Sequence, residues 1–228
     1  MTVPTPSLGA LMLRTLRYPY LMLVLLLTLS IVAPVVFAAQ TDTATVPKNR
    51  QVAVRLMADL TDASWIKDGN GSQIVYMFFD PNCPYCHAVF DSFMKIRKDM
   101  PNLQFRWVPV GMLTPTSTTK AAAIIQAKDP LKAFYESENN YGFLDSGNGG
   151  GIEPAKHVTA KASAMLLENL SILQGDNLYA IPIILFQADD GLPFSFSGAR
   201  PESQLRAILK HVAKGNFGGG KAVGSPSP

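Results

Sequence analysis

The longest uncharged stretch of the chain runs from Tyr18 to Thr41, behind Arg14 and Arg17. Leucine fills its centre, Leu21 to Leu27; Pro34 breaks it, and Val36-Phe37-Ala38 offers a small-residue cleavage pattern. This is the layout of a secretory signal peptide over residues 1–38. A retained anchor over residues 18–41 is the competing reading, because a run of that length can span a bilayer. The two arginines are not adjacent, which argues against a twin-arginine signal. Either reading places the remainder outside the cytoplasm, where disulfides form and persist.

Residues 39–48 are polar or small and read as a linker. From Asn49 to Trp65, the apolar residues Val52, Val54, Leu56, Met57, Leu60 and Trp65 recur at loosely helical spacing. Residues 39–70 are therefore expected to form a linker and a lead-in helix, ending at the turn Asp68-Gly69-Asn70-Gly71. A main domain is expected over residues 71–214. It opens with the continuous apolar run Ile74 to Phe79, which suits a strand buried on both faces. Val89, Phe90, Phe93, Met94 and Ile96 then mark an amphipathic helix, and Leu103 to Val110 a second strand. Thr116 or Ser117 can cap a helix through Ala121 to Ile125. Asp129-Pro130 opens another, as a cap followed by proline at the first helical position.

Asp145 to Gly151 is a glycine-rich loop, and a helix is expected over Pro154 to Leu173. Ile183 to Phe186 is a third strand, and Asp189-Asp190-Gly191 a turn. Phe194 and Phe196 alternate with serines in an edge-like fourth strand. A last helix is placed from Pro201 to Val212. Residues 215–228, rich in Gly, Ser and Pro, are expected to be a disordered tail. A βαβ unit followed by helices, a hairpin and a helix gives an α/β fold with a mixed sheet.

The formal charge of +3 includes Arg14 and Arg17 of the leader, so the rest is nearly neutral. That excludes an electrostatic case for nucleic-acid binding. The two cysteines, Cys83 and Cys86, are the only ones in the 228 residues. A disulfide between them closes a loop too small to stabilise much, which directs the reading from scaffold to chemistry. Cys83 follows a buried strand and begins a helix, where unpaired N–H groups and the helix dipole favour a thiolate. It is the expected nucleophile, and Cys86, almost one turn further in, the resolving thiol. Pro84 sits where its missing N–H costs nothing.

The pattern argues against zinc: a structural site needs four ligands, and His87, His157 and His211 show no converging spacing. His87, next to Cys86, is a candidate for tuning the pair; the bland alternative is a solvated helix residue. Asp80 is read as a cap of the turn rather than a proton carrier. Phe78, Phe79, Phe90 and Phe93 are read as core, and His157 and His211 as surface residues on helices. Ile181-Pro182 opens the third strand, where proline is allowed.

With Trp65, Ile74 to Phe79, Asp80-Pro81-Asn82-Cys83-Pro84-Tyr85-Cys86, Val108 to Gly111, Lys120 to Ile124 and Lys128-Asp129-Pro130, the chain resembles the DsbC/DsbG family of periplasmic disulfide isomerases over residues 54–213. The resemblance implies a thioredoxin fold with a helical insertion. It implies a cis Pro182 beside Cys83, with Pro84, Tyr85, His87 and Ile181 supporting the site and no cofactor. It also implies a periplasmic setting, exported clients with cysteines and a membrane redox partner. Two departures stand out. The family's N-terminal dimerisation domain has no counterpart in residues 39–53, so a monomer is expected. The family usually carries Thr where Ile181 stands, and an apolar residue there offers the sulfur one hydrogen bond fewer. The expected function is disulfide exchange with exported proteins. The alternatives are a reductant guarding single cysteines from overoxidation and a client-holding module with secondary redox activity.

Overall fold

Two strands fill the centre of the sheet because nearly all their side chains are apolar and both their faces are covered. β2 (Gln73–Phe79) and β3 (Leu103–Pro109) pair in parallel, Ile74 opposite Gln104 and Phe78 opposite Val108. The helix α2 (Pro84–Asp99) makes the crossover between them. In this computed structural model, residues 47–142 and 149–224 are described. The six-stranded order is β5 (Pro193–Ser197), β4 (Ile183–Gln187), β2, β3, β1 (Ser64–Asp68), β6 (Lys221–Ala222). β4 (Ile183–Gln187) runs antiparallel to β2, and β5 (Pro193–Ser197) closes that side as the edge strand of a hairpin. The βαβ unit, the hairpin and the edge character of β5 are as the sequence pattern predicts.

The outer strands on the other side are not. β1 (Ser64–Asp68) pairs antiparallel with β3, Ile66 opposite Trp107. The lead-in helix is present as α1 (Lys48–Asp59), followed by a 3-10 turn, but Trp65 belongs to the strand after it. Residues 39–70 are thus more than a linker and helix, and the domain begins well before 71. Five residues, only Trp65 and Ile66 of them apolar, are too short a signal for a strand. The tail expectation is also corrected for residues 215–224: Lys221–Ala222 forms β6, parallel to Ser64 and Trp65. Backbone groups hold this segment, with Trp65 Nε1 donating to the Gly219 carbonyl (2.8 Å) and Tyr76 Oη to that of Phe217 (3.2 Å). Such bonds leave no trace in composition. Gly218 and Gly220 have positive φ, and a Cβ on Gly220 would lie 2.3 Å from the Ala63 carbonyl oxygen, so the tight path needs glycine. The leader, the start of the linker, part of the glycine-rich loop and residues 225–228 lie outside the described residues.

Three helices, α3 (Ser117–Gln126), α4 (Pro130–Asn139) and α5 (Ala160–Gly175), form the insertion between β3 and β4. Asp129 caps α4 through the Lys132 N–H, as expected. Thr116 precedes α3 without a side-chain cap, and α5 starts at Ala160 rather than 154 because Thr159 caps it through Ala162 N–H. The last helix, α6 (Glu202–Leu209), is shorter at its end than the pattern suggested. The insertion is anchored by Phe134 of α4, whose ring lies 4.8 Å from Trp107, 4.9 Å from Phe79 and 5.5 Å from Phe90. It is anchored again by Asn169 of α5. That fully buried amide accepts from Ser64 N–H (2.8 Å) and donates to the carbonyls of Ser64 (2.9 Å) and Pro109 (2.8 Å).

Candidate active site

The site grows from the end of β2. Past Phe79 the chain must turn, and Asp80 holds that turn. Its fully buried carboxyl accepts four hydrogen bonds: Asn82 N–H (2.8 Å) and Ser117 Oγ–H (2.7 Å) on one oxygen, Met112 N–H (2.7 Å) and Leu113 N–H (3.0 Å) on the other. All acceptor positions of a carboxylate are so used. Asp80 is a loop anchor, consistent with its reading as a cap, and it ties the turn to the segment after β3.

Cys83 is the residue before α2, and its sulfur takes the capping role, accepting from the Cys86 N–H at 3.1 Å. Pro84 occupies the first helical position. Both cysteines are free thiols and both are buried, 2% and 1% exposed. Surface exposure therefore does not separate them; the depth of burial at Cys86 and the hydrogen bonds to Cys83 do. The Cys83 thiol is lowered from its ordinary range, first by the hydrogen bond from the Cys86 thiol and then by the N–H groups of Cys86 and Tyr85, against burial and the Asp80 charge. The Cys86 thiol is pushed well up, first by burial and then by its bond to Cys83. The anion is thus favoured at Cys83 over Cys86.

Opposite Cys83 lies Ile181, whose carbonyl oxygen is 4.0 Å from the sulfur. The Ile181–Pro182 peptide is cis. Tyr85 stands 64% exposed, as does Tyr179, with Leu113 at 45%. These are three of the few large apolar side chains exposed among the described residues, and each belongs to a segment that borders the cysteines.

The insertion brings a group that sequence reasoning missed. On α4 the buried positions are Pro130, Ala133, Phe134, Ser137 and Glu138. Glu138 follows Phe134 by four residues, so it shares the face that Phe134 docks onto the core. Its carboxyl, 2% exposed, meets His87 Nδ1 at 3.0 Å. The His87 ring stacks on Tyr141 at 4.3 Å, and Tyr141 donates through its hydroxyl to the Asn82 carbonyl (3.2 Å). The bond from Glu138 raises the imidazole above its ordinary value, with burial opposing. Burial raises the Glu138 carboxyl, with the His87 bond opposing. His87 is thus neither free nor fully solvated. The helical periodicity of α4 was the available signal for Glu138; its partner 51 residues away was not.

Asn82 is a further residue that the sequence did not single out: its Nδ2 donates to Thr114 Oγ1 (2.7 Å) and Thr116 Oγ1 (2.8 Å). His157 and His211 are exposed, as expected, but neither lies on a helix: His157 falls in the segment before α5 and His211 in the turn after α6. A sulfur that caps a helix after a buried strand, facing a cis proline, is the arrangement of the thioredoxin fold.

The thioredoxin-like domain family profile matches residues 66–213. The chain belongs to this family. Among curated proteins, this thioredoxin-like domain is 29% identical over 160 residues to the thiol:disulfide interchange protein DsbG of Pseudomonas aeruginosa, covering 69% of this chain and 60% of that protein. It is 36% identical over 141 residues to a probable thiol:disulfide interchange protein DsbC of Bordetella pertussis, covering 62% of this chain and 43% of that one. The match thus spans 60% or less of the length of these relatives. Among solved structures, Proteus mirabilis ScsC in a compact conformation matches with a TM-score of 0.53 at 18% identity, over 86% of this chain and 92% of that one. The catalytic domain of the same protein matches with a TM-score of 0.52 at 20% identity, over 71% and 96%. At such identities the likeness is one of fold.

Proposed function

We propose that this chain is an exported thiol:disulfide oxidoreductase that exchanges disulfides with client proteins through Cys83 and Cys86. The observation that carries the reading is the placement of the pair: the Cys83 sulfur caps α2 by accepting the Cys86 N–H at 3.1 Å, and the two thiols are shifted in opposite directions, Cys83 down and Cys86 up. In the reducing direction, the Cys83 thiolate attacks one sulfur of a client disulfide. A bond forms between Cys83 and the client, the client S–S bond breaks, and the other client sulfur leaves as a thiolate. Cys86 then loses its proton and attacks Cys83, and the second client thiolate departs. Two electrons pass to the client and the Cys83–Cys86 disulfide remains. A membrane redox partner resets the pair. Oxidation is the same path reversed.

Tyr85, Tyr179 and Leu113 supply an apolar surface for unfolded or extended clients, and main-chain groups near Ile181 supply contacts that read no sequence. The Tyr18–Thr41 run and the similarity to interchange proteins support a periplasmic setting. Replacing Cys86 by Ala tests the reading: a disulfide-bearing client should accumulate as a covalent complex on Cys83. Its absence would reject the assigned roles. The exposed apolar surface also favours a second reading, client holding with the thiols secondary. Replacing both cysteines by Ser separates the two: retained protection of clients from aggregation together with retained cellular activity would favour holding.

A further inference from the structure

Arg106 lies mid-strand in β3, opposite Tyr76 of β2, and is only 7% exposed. Its guanidinium sits over the Trp65 ring at 4.2 Å. Its hydrogen bonds go to neutral oxygens: Gln104 Oε1 at 3.2 Å, Asn216 Oδ1 at 2.7 Å and the Tyr76 hydroxyl. Other arginines of the domain behave differently. Arg97 meets Asp68 at 2.5 Å, Arg50 meets Asp190 at 2.7 Å and Arg206 meets Asp99 at 2.7 Å. Among the described residues Arg106 has no carboxylate partner. Buried charges are ordinarily paired, because desolvating an unpaired one is costly. A guanidinium also has five N–H donors, and three bonds leave two unused.

A cavity of about 390 Å³ opens over this point, between β1, the Gly71-Ser72 turn and Gly215-Asn216. Lys67 lines it as a second cation, and no Asp or Glu does. We propose that this cavity binds a small oxyanion, a carboxylate or phosphate group, with Arg106 taking its oxygens through the two remaining N–H groups, one on each terminal nitrogen, and Lys67 adding charge at the mouth. The planar fork of arginine suits paired oxygens. The site is separate from the cysteines: Gln104 and Ile74 mark the N-terminal ends of β3 and β2, whereas Cys83 follows the C-terminal end of β2. Asn216 is one of its walls, so an occupied site would also fasten the tail segment that carries β6.

Thermal unfolding of the full oxidised chain in chloride, acetate and inorganic phosphate, at one ionic strength, tests this. Wild type should unfold about 2–4 °C higher in an oxyanion buffer than in chloride. Asn216→Asp sets a carboxylate at hydrogen-bond distance from Arg106; it should raise the midpoint in chloride and abolish the oxyanion increment. Comparing the two proteins cancels the general stabilising effect of phosphate on burial. Lys67→Gln should weaken the apparent oxyanion affinity several-fold relative to wild type. A response to both anions identifies a carboxylate-type ligand, and one to phosphate alone a phosphate-type ligand; either supports the site. Equal midpoints of wild type in all three salts, or an undiminished increment in Asn216→Asp, would overturn it.

Discussion

Cys83 and Cys86 are almost equally unexposed, yet the hydrogen bonds that Cys83 accepts and the deeper burial of Cys86 make them chemically unlike. The Cys83 sulfur accepts, from the Cys86 thiol and backbone N–H groups, and so is favoured as an anion. In the reduced native protein, iodoacetamide at neutral pH should therefore modify Cys83 about tenfold or more faster than Cys86, as read by peptide mass. Equal rates would contradict the division of labour. Ile181 bears on the same sulfur: its carbonyl lies 4.0 Å away and its side chain offers no donor. Ile181→Thr would add a hydroxyl that can bond the thiolate, stabilising the reduced form. A bond to a charged group is worth about 1.5 kcal/mol, so the reduction potential should rise by about 30 mV; an unchanged or lower value would show that the hydroxyl does not reach the sulfur. The cysteine pair and the proline were legible in the sequence as places, because they sit in one short motif and one X-Pro pair. Glu138 and Tyr141 were not, because only the fold brings them to His87.

At the scale of elements, the contribution of the insertion is Phe134 in the core and Glu138 against His87. Folding raises both the His87 imidazole and the Glu138 carboxyl. A group whose pKa is raised by folding contributes most below its unfolded value, and that contribution is lost as pH rises through the folded value. The native state should therefore lose stability as pH climbs past the ordinary imidazole value of about 6.5. In the oxidised protein, where thiols do not titrate, the urea midpoint should fall from about pH 6 to about pH 8.5, and Glu138→Gln should flatten that slope. An equal slope in the variant would show that Glu138 does not set the His87 proton. Helices and central strands were readable because long periodic or continuous apolar runs define them. β1 and β6 were not, since a five-residue strand with a lysine in it and a two-residue strand among glycines carry too few side chains to show a period.

For the whole molecule, the mixed sheet, the βαβ unit and the hairpin follow from element order alone, whereas the domain limits depend on contacts distant in sequence. Trp65 bonds a carbonyl 154 residues away, and Asn169 joins α5 to both strands of the β1–β3 pair at one end, where β1 starts and β3 finishes. These contacts hold the frame that aims Cys83 and Ile181 at one point. The central claim is that Cys83 and Cys86 act as one exchangeable redox pair. Equilibration of the purified chain in glutathione buffers, read by intact mass after acid quenching, tests it most directly. The account predicts a single two-electron step from dithiol to Cys83–Cys86 disulfide, about 30 mV per tenfold change in equilibrium constant, which Cys83→Ser abolishes. Thiols that stay free across the whole range, or that are lost in two independent steps, would contradict it.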